Sequence, residues 1–165
     1  PPLSLSPLLE GGGQERGLRS GTLNVPGIVG LGEACRLCAD RMQTEATTTA
    51  ALRDRLEIGL ADSVPGLLVN GHTSCRLPGA LSVSFPGIDG TDLLLALRDL
   101  AVSAGSACTS GSSEPSYVLK AIGRDDTTAA ATLRFGIGRF NADADIDYAL
   151  RRTVEEVVRL RTAAE

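Results

Sequence analysis

From Val25 to about Asp62 the apolar residues fall at helical spacing. Ile28, Leu31, Cys35, Cys38 and Met42 recur at three- and four-residue steps, and Leu52, Leu56 and Leu60 carry the stripe onward. Pro26 suits a first helical turn, where its missing N–H costs nothing. The pattern commits the chain to one long helix, with a bend expected near Thr47-Thr48-Thr49, and the rest of the fold is built around it. Cys35 and Cys38 lie on the stripe itself. A C-x-x-C pair resembles half of a zinc site, but no second pair stands at the right spacing, so a structural zinc module of Cys35, Cys38 and Cys75 is disfavoured. Core packing is therefore the expected role of both thiols.

The remaining elements are shorter. Leu67 to Val69, between Pro65-Gly66 and Asn70-Gly71, reads as a strand and turn, with His72 solvated beside it. Leu81, Val83 and Phe85 alternate with Ser82 and Ser84 as a half-buried strand that Pro86-Gly87 stops. Asp89 or Thr91 can cap a helix bearing Leu93, Leu94, Leu97 and Leu100. Glu114-Pro115-Ser116 opens a short helix through Tyr117, Leu119 and Ile122, ended by Gly123. Leu133, Phe135 and Ile137 alternate with Arg134 and Gly136 in a second half-buried strand. Asn141 can cap a last helix with Asp143 and Asp145 in its first turn and Arg159 and Arg161 near its end, as the helix dipole favours. Its buried stripe is Ile146, Leu150, Val154 and Val157. This order predicts an α+β fold, a small and mainly antiparallel sheet covered by helices. Residues 1–24 are expected to form a lead-in and a glycine-rich loop, the edge of something longer, and residues 25–165 a single domain.

Composition removes several functions. Aromatics make up only 3% of the 165 residues, so the core must be aliphatic. The net charge is −4, with no basic run, which disfavours nucleic acid. No apolar run approaches a membrane span. Four cysteines make no dense disulfide framework, which fits a reducing, cytoplasmic setting. Lys120 is the only lysine and His72 the only histidine, so chemistry needing either has one candidate.

Three places can carry chemistry. In Ser103-Ala104-Gly105-Ser106-Ala107-Cys108-Thr109-Ser110-Gly111-Ser112-Ser113, every residue around the cysteine is Gly, Ala, Ser or Thr. Nothing there can anchor in a core, so the stretch reads as a mobile loop carrying either a reactive thiol or an incidental one in a Ser/Gly linker. Gly11-Gly12-Gly13-Gln14-Glu15-Arg16-Gly17-Leu18-Arg19-Ser20-Gly21-Thr22 offers backbone N–H groups and a hydroxyl to an anion such as phosphate, or is simply a turn. Arg134 faces outward from its strand, as solvated surface or as a fork for a carboxylate.

Taken together with Glu114-Pro115-Ser116-Tyr117-Val118-Leu119 and Leu133-Arg134-Phe135-Gly136-Ile137-Gly138-Arg139-Phe140, these motifs resemble the cysteine desulfurases, class V aminotransferase-fold enzymes that feed sulfur to iron–sulfur cluster assembly. The similarity runs from about Glu10 to Arg161 in order and spacing, and the long small-residue loop resembles the housekeeping and nitrogen-fixation group. The resemblance implies the C-terminal domain of a fold-type I pyridoxal-phosphate enzyme. It implies that Cys108 takes sulfur from L-cysteine as a persulfide and that L-alanine leaves. Arg134 would grip the substrate carboxylate, and Thr22 would reach the cofactor phosphate of a neighbouring subunit, making a homodimer the complete unit. An iron–sulfur scaffold or another acceptor would receive the sulfur. The family's cofactor lysine, and a histidine and an aspartate further upstream, have no counterpart here, and Lys120 falls in a different motif. The chain is therefore expected to be inactive alone and active only with a lysine-bearing half. The alternative is a non-catalytic sulfur-carrying or scaffold-docking module.

Overall fold

The computed structural model describes residues 4–105 and 115–163. The chain divides into two compact units, Pro1–Met42 and Gln43–Glu165. Helix α1, Val25–Ser63, runs through the division.

In the first unit, Gln14–Gly17 forms a tight 3-10 turn in which Glu15 and Arg16 take φ of 51° and 58° and Gly17 takes 80°. A bridge from Leu9 to Arg19 closes the loop. Every described residue from Ile28 through Arg36 in α1 is exposed, Cys35 and Cys38 are both exposed, and Met42 is 68% exposed. This corrects the expectation that the two thiols pack in a core. The helical spacing is real, but among the described residues of the unit no second layer covers that stripe.

The second unit contains the core. Its elements are β1 (Leu68–Val69), β2 (Ala80–Ser84), α2 (Gly90–Ala96), β3 (Ser103–Ala104), α3 (Tyr117–Ala121), α4 (Asp126–Ala130), β4 (Thr132–Gly136) and α5 (Asp143–Ala163). The four strands pair antiparallel in the order β1-β2-β4-β3. Leu81 and Val83 of β2 and Leu133 and Phe135 of β4 point to one face, as a period of two requires, and each is nearly inaccessible. Leu52, Leu56 and Leu60 of α1, Leu93 of α2 and Leu97 at its C-cap, and Ile146 and Val157 of α5 pack with them, along with Phe85. At roughly 25 cal/mol per Å² of apolar area, this aliphatic layer is the main stabilising term.

Local chemistry explains the ends of the elements. The Asp89 carboxylate accepts from the Thr91 and Asp92 amides and caps α2. Asp125 likewise accepts from the Thr128 amide and caps α4, a helix the sequence pattern does not announce. At the start of α5, Asn141 accepts from the Gly138 amide instead of capping the helix, and Asp145 takes the Ala142 amide. Arg161, near the end of α5, donates to the carbonyls of Pro65 and Pro86. Two glycines are fixed by close backbone approach. A Cβ on Gly79 would stand 1.9 Å from the Ile137 oxygen, and one on Gly90 would stand 2.0 Å from the Ala130 oxygen.

Candidate active site

The face of the sheet opposite the core is polar. Ser82, Ser84, Thr132, Arg134 and Gly136 alternate onto it. One end is sealed: Ser84 and Thr132 are fully inaccessible. The seal lies tight over Gly105, where an added Cβ would sit 2.9 Å from Leu119 Cδ1 of α3 and 3.4 Å from the Ala129 oxygen of α4.

Burying hydroxyls without partners costs stability, and here none goes unpaired. Arg124 donates through Nε to Asn70 Oδ1 at 2.6 Å and through Nη2 to the Val69 carbonyl at 2.9 Å. That contact fixes the Asn70 amide, whose Nδ2 donates to Ser84 Oγ at 2.8 Å. Thr132 Oγ1 donates to the Thr128 carbonyl at 3.0 Å, so its 2.7 Å contact with Ser84 Oγ is a bond it accepts. The relay ends beneath Gly105, whose amide donates to the Thr132 carbonyl at 2.9 Å.

The other end of the face is open. Arg134 and Gly136 are exposed, and the register sets Ser82 and Ser103, both half-buried, on either side of Arg134. Arg134 makes no ion pair among the described residues, unlike Arg53, Arg55, Arg76 and Arg152. A fork-shaped cation without a protein carboxylate is equipped for an external one. Ser103 was expected to open the loop; it belongs to β3 instead. Pairing with β4 gives two small residues a strand conformation that their own propensity does not announce. Alternation had marked Ser82, but only the register makes Ser82 and Ser103 neighbours of Arg134.

Cys108 lies outside the described residues. Thr22 is exposed in the first unit. There Arg19 is committed, its Nη1 donating to the Gly21 and Thr22 carbonyls, while the Gly21 amide is held by Gln14 Oε1 at 3.3 Å. The Thr22 hydroxyl makes no hydrogen bond among the described residues. A hydroxyl on a tied glycine-rich loop fits the phosphate end of pyridoxal phosphate. The aldehyde end finds no match: Lys120, on α3, is ion-paired with Asp126 of α4 at 2.9 Å. Among the described residues no group of three or more His, Cys, Asp or Glu could hold a metal, and no helix is long and apolar enough to cross a membrane.

A cleft of about 310 Å³ opens beside the end of β4, with Phe135, Ile137, Asp99 and Tyr148 in its lining. Arg134 is not part of it. Asp99 accepts from the Tyr148 hydroxyl at 2.6 Å and from Arg152 Nε at 2.9 Å. These bonds, the tyrosine's first, hold its carboxyl down at about 2. An acid already committed twice serves to pin α5 rather than to do chemistry.

The fold is an antiparallel four-stranded sheet packed against helices, and comparison with known proteins places the chain in a family. The model of the class-V aminotransferases matches residues 7–149, and the chain belongs to that family. It is 51% identical over 153 residues to the cysteine desulfurase IscS of Anaeromyxobacter dehalogenans, covering 93% of this chain and 38% of the relative. It is 50% identical to the mitochondrial cysteine desulfurase of Eremothecium gossypii, covering 98% of this chain and 33% of the relative. The solved structure of a NifS-like protein superposes with a TM-score of 0.80 at 35% identity, over 96% of this chain and 40% of its own. The chain thus spans about two fifths or less of the length of the relatives it matches.

Proposed function

We propose that this chain is the C-terminal portion of a cysteine desulfurase. The observation that carries the reading is Arg134, exposed on the open face with no ion pair among the described residues. The similarity to desulfurases, in register over nearly the whole chain, supports it. In this reading Arg134 holds the carboxylate of L-cysteine. The Cys108 thiolate attacks the substrate sulfur. An S–S bond forms and the substrate C–S bond breaks, its electron pair passing to carbon, where a proton completes L-alanine; sulfur remains on Cys108 as a persulfide. Pyridoxal phosphate, when bound, stabilises negative charge on the substrate carbon, and Thr22 would contact its phosphate.

The chemistry depends on a lysine-bearing portion that this chain's residues do not supply. A homodimer of the complete enzyme, and an iron–sulfur scaffold or similar acceptor for the persulfide, belong to the same reading. So does a cytoplasmic setting, although the Eremothecium relative is described as mitochondrial. The test is to combine the 165-residue chain with the lysine-bearing portion of the Anaeromyxobacter relative, show that the two associate, and assay alanine from L-cysteine. Alanine release that disappears in Cys108→Ser and Arg134→Gln is expected. An associated pair that releases none overturns the reading.

A further inference from the structure

The exposed half of α1 carries a group of sulfur atoms that the desulfurase reading leaves unused. Cys35, Cys38 and Met42 stand at i, i+3 and i+7 along the helix, so they share one face. All three belong to the first unit. Both cysteines are free and exposed, and Met42 is 68% exposed. Neighbours on a helix surface are the residues three and four positions away. For Cys35 these are Leu31, Gly32, Cys38 and Ala39, and for Cys38 they are Ala34, Cys35, Arg41 and Met42. Neither set contains a carboxylate or an imidazole. The carboxylates of this stretch, Glu33 and Asp40, are each drawn to Arg36 at 2.7 Å, around another side of the helix. Arg41 makes no ion pair among the described residues, so its charge is available to favour a thiolate on Cys38.

Spacing decides what the two thiols can do. Cβ atoms three residues apart on a helix stand about 5–6 Å from each other. A disulfide needs about 3.5–4.5 Å, so a regular helix holds these thiols too far apart to close one. An ion with metal–sulfur bonds of about 2.3 Å sets two sulfurs on its opposite sides about 4.6 Å apart, which the helix allows. Helical side chains lean toward the N-terminus, so the Met42 thioether can reach back over Cys38 toward the same ion. Ligand chemistry then decides which ion. Thiolate and thioether are soft donors, suited to Cu(I). Zinc requires four nitrogen or sulfur ligands, and calcium and magnesium require oxygens that this face lacks. We propose that Cys35, Cys38 and Met42 form a binding site for a cuprous ion. The ion enters and stays as Cu(I), no electron is transferred, and each cysteine releases its proton to solvent as it binds. The site rests on α1 alone and is independent of the desulfurase reading.

The test is an anaerobic titration of the 165-residue chain with Cu(I), supplied as its acetonitrile complex, with bicinchoninate as the competing chelator. A single equivalent should bind, with sulfur-to-copper charge-transfer absorption, and X-ray absorption at the copper edge should show sulfur neighbours. Cys35→Ser and Cys38→Ser should each weaken binding about a hundredfold or more, because each removes one of the two thiolates. Met42→Leu keeps the volume, loses the sulfur and should weaken binding by about tenfold. The chain has two further cysteines, so Cys75→Ser with Cys108→Ser serves as the control and should bind copper as the parent does. All three proposed ligands are exposed, so circular dichroism should show the same helix content in their variants. Equimolar Zn(II) should not displace the copper. Copper affinity retained when Cys35 and Cys38 are both serine, or lost when Cys75 and Cys108 are, overturns the proposal. Displacement by zinc, or a Met42→Leu affinity equal to the parent's, overturns it as well.

Discussion

Replacing Thr132 by valine keeps nearly the same shape and removes one hydroxyl from the middle of a sealed relay. That hydroxyl accepts from Ser84 at 2.7 Å and donates to the Thr128 carbonyl at 3.0 Å, at a position with no solvent access. Its loss leaves a buried O–H and a C=O without these partners, and water cannot reach them. Each orphaned group costs about 1–3 kcal/mol, so the variant should lose about 2–4 kcal/mol. This is a large share of the roughly 5–15 kcal/mol available to a domain. Urea unfolding followed by circular dichroism reads it directly. With a slope of about 1–3 kcal/mol/M, the midpoint should fall by about 0.7–4 M. Adding Ser84→Ala removes the stranded donor, so the double variant should cost at least about 1 kcal/mol less than the sum of the single variants. A Thr132→Val cost below about 0.5 kcal/mol, or strict additivity, would refute the argument that this relay holds the polar face together.

Other outcomes follow from single contacts. Gly79→Ala should destabilise by about 2 kcal/mol or more in the same unfolding assay, because the obstacle is the Ile137 backbone and no side chain can swing aside. The Asp99 carboxyl, held at about 2 against an ordinary 3.8, should contribute its full stability above pH 4 and lose it progressively as pH falls toward 2. Tyr148→Phe should move the Asp99 titration upward, as read by carboxyl NMR; an unmoved titration would assign the effect to Arg152 alone. Cys35 and Cys38 should react with a water-soluble thiol reagent in the folded chain, as read by peptide mass spectrometry, since both are exposed. Protection of either thiol would contradict the structure of the first unit.

Much was legible in the residues because the determining interactions are local. The long helix appears as Val25–Ser63, and the alternation of Leu81, Val83, Leu133 and Phe135 marks the two central strands. The Asp89 cap and the stop at Gly123, with φ 90°, follow from short-range chemistry. The misreadings share one cause. Cys35 and Cys38 stand at core spacing, yet periodicity says only that residues share a face, not that anything covers it. Ser103 looked like loop because a strand of small residues is recognisable only from its partner.

The sequence by itself determined the class of fold, the family and the outward arginine, since helical and strand periods and motif spacing are written along the chain. Tertiary structure alone decided which hydroxyls are sealed and which are open. Ser84 and Ser82 stand two residues apart on one strand with the same side chain, and the helices cover only the first. Tertiary structure also put Ser103 and Ser82 on either side of Arg134, because contacts across a sheet depend on register, and register is settled by packing between segments far apart in the chain.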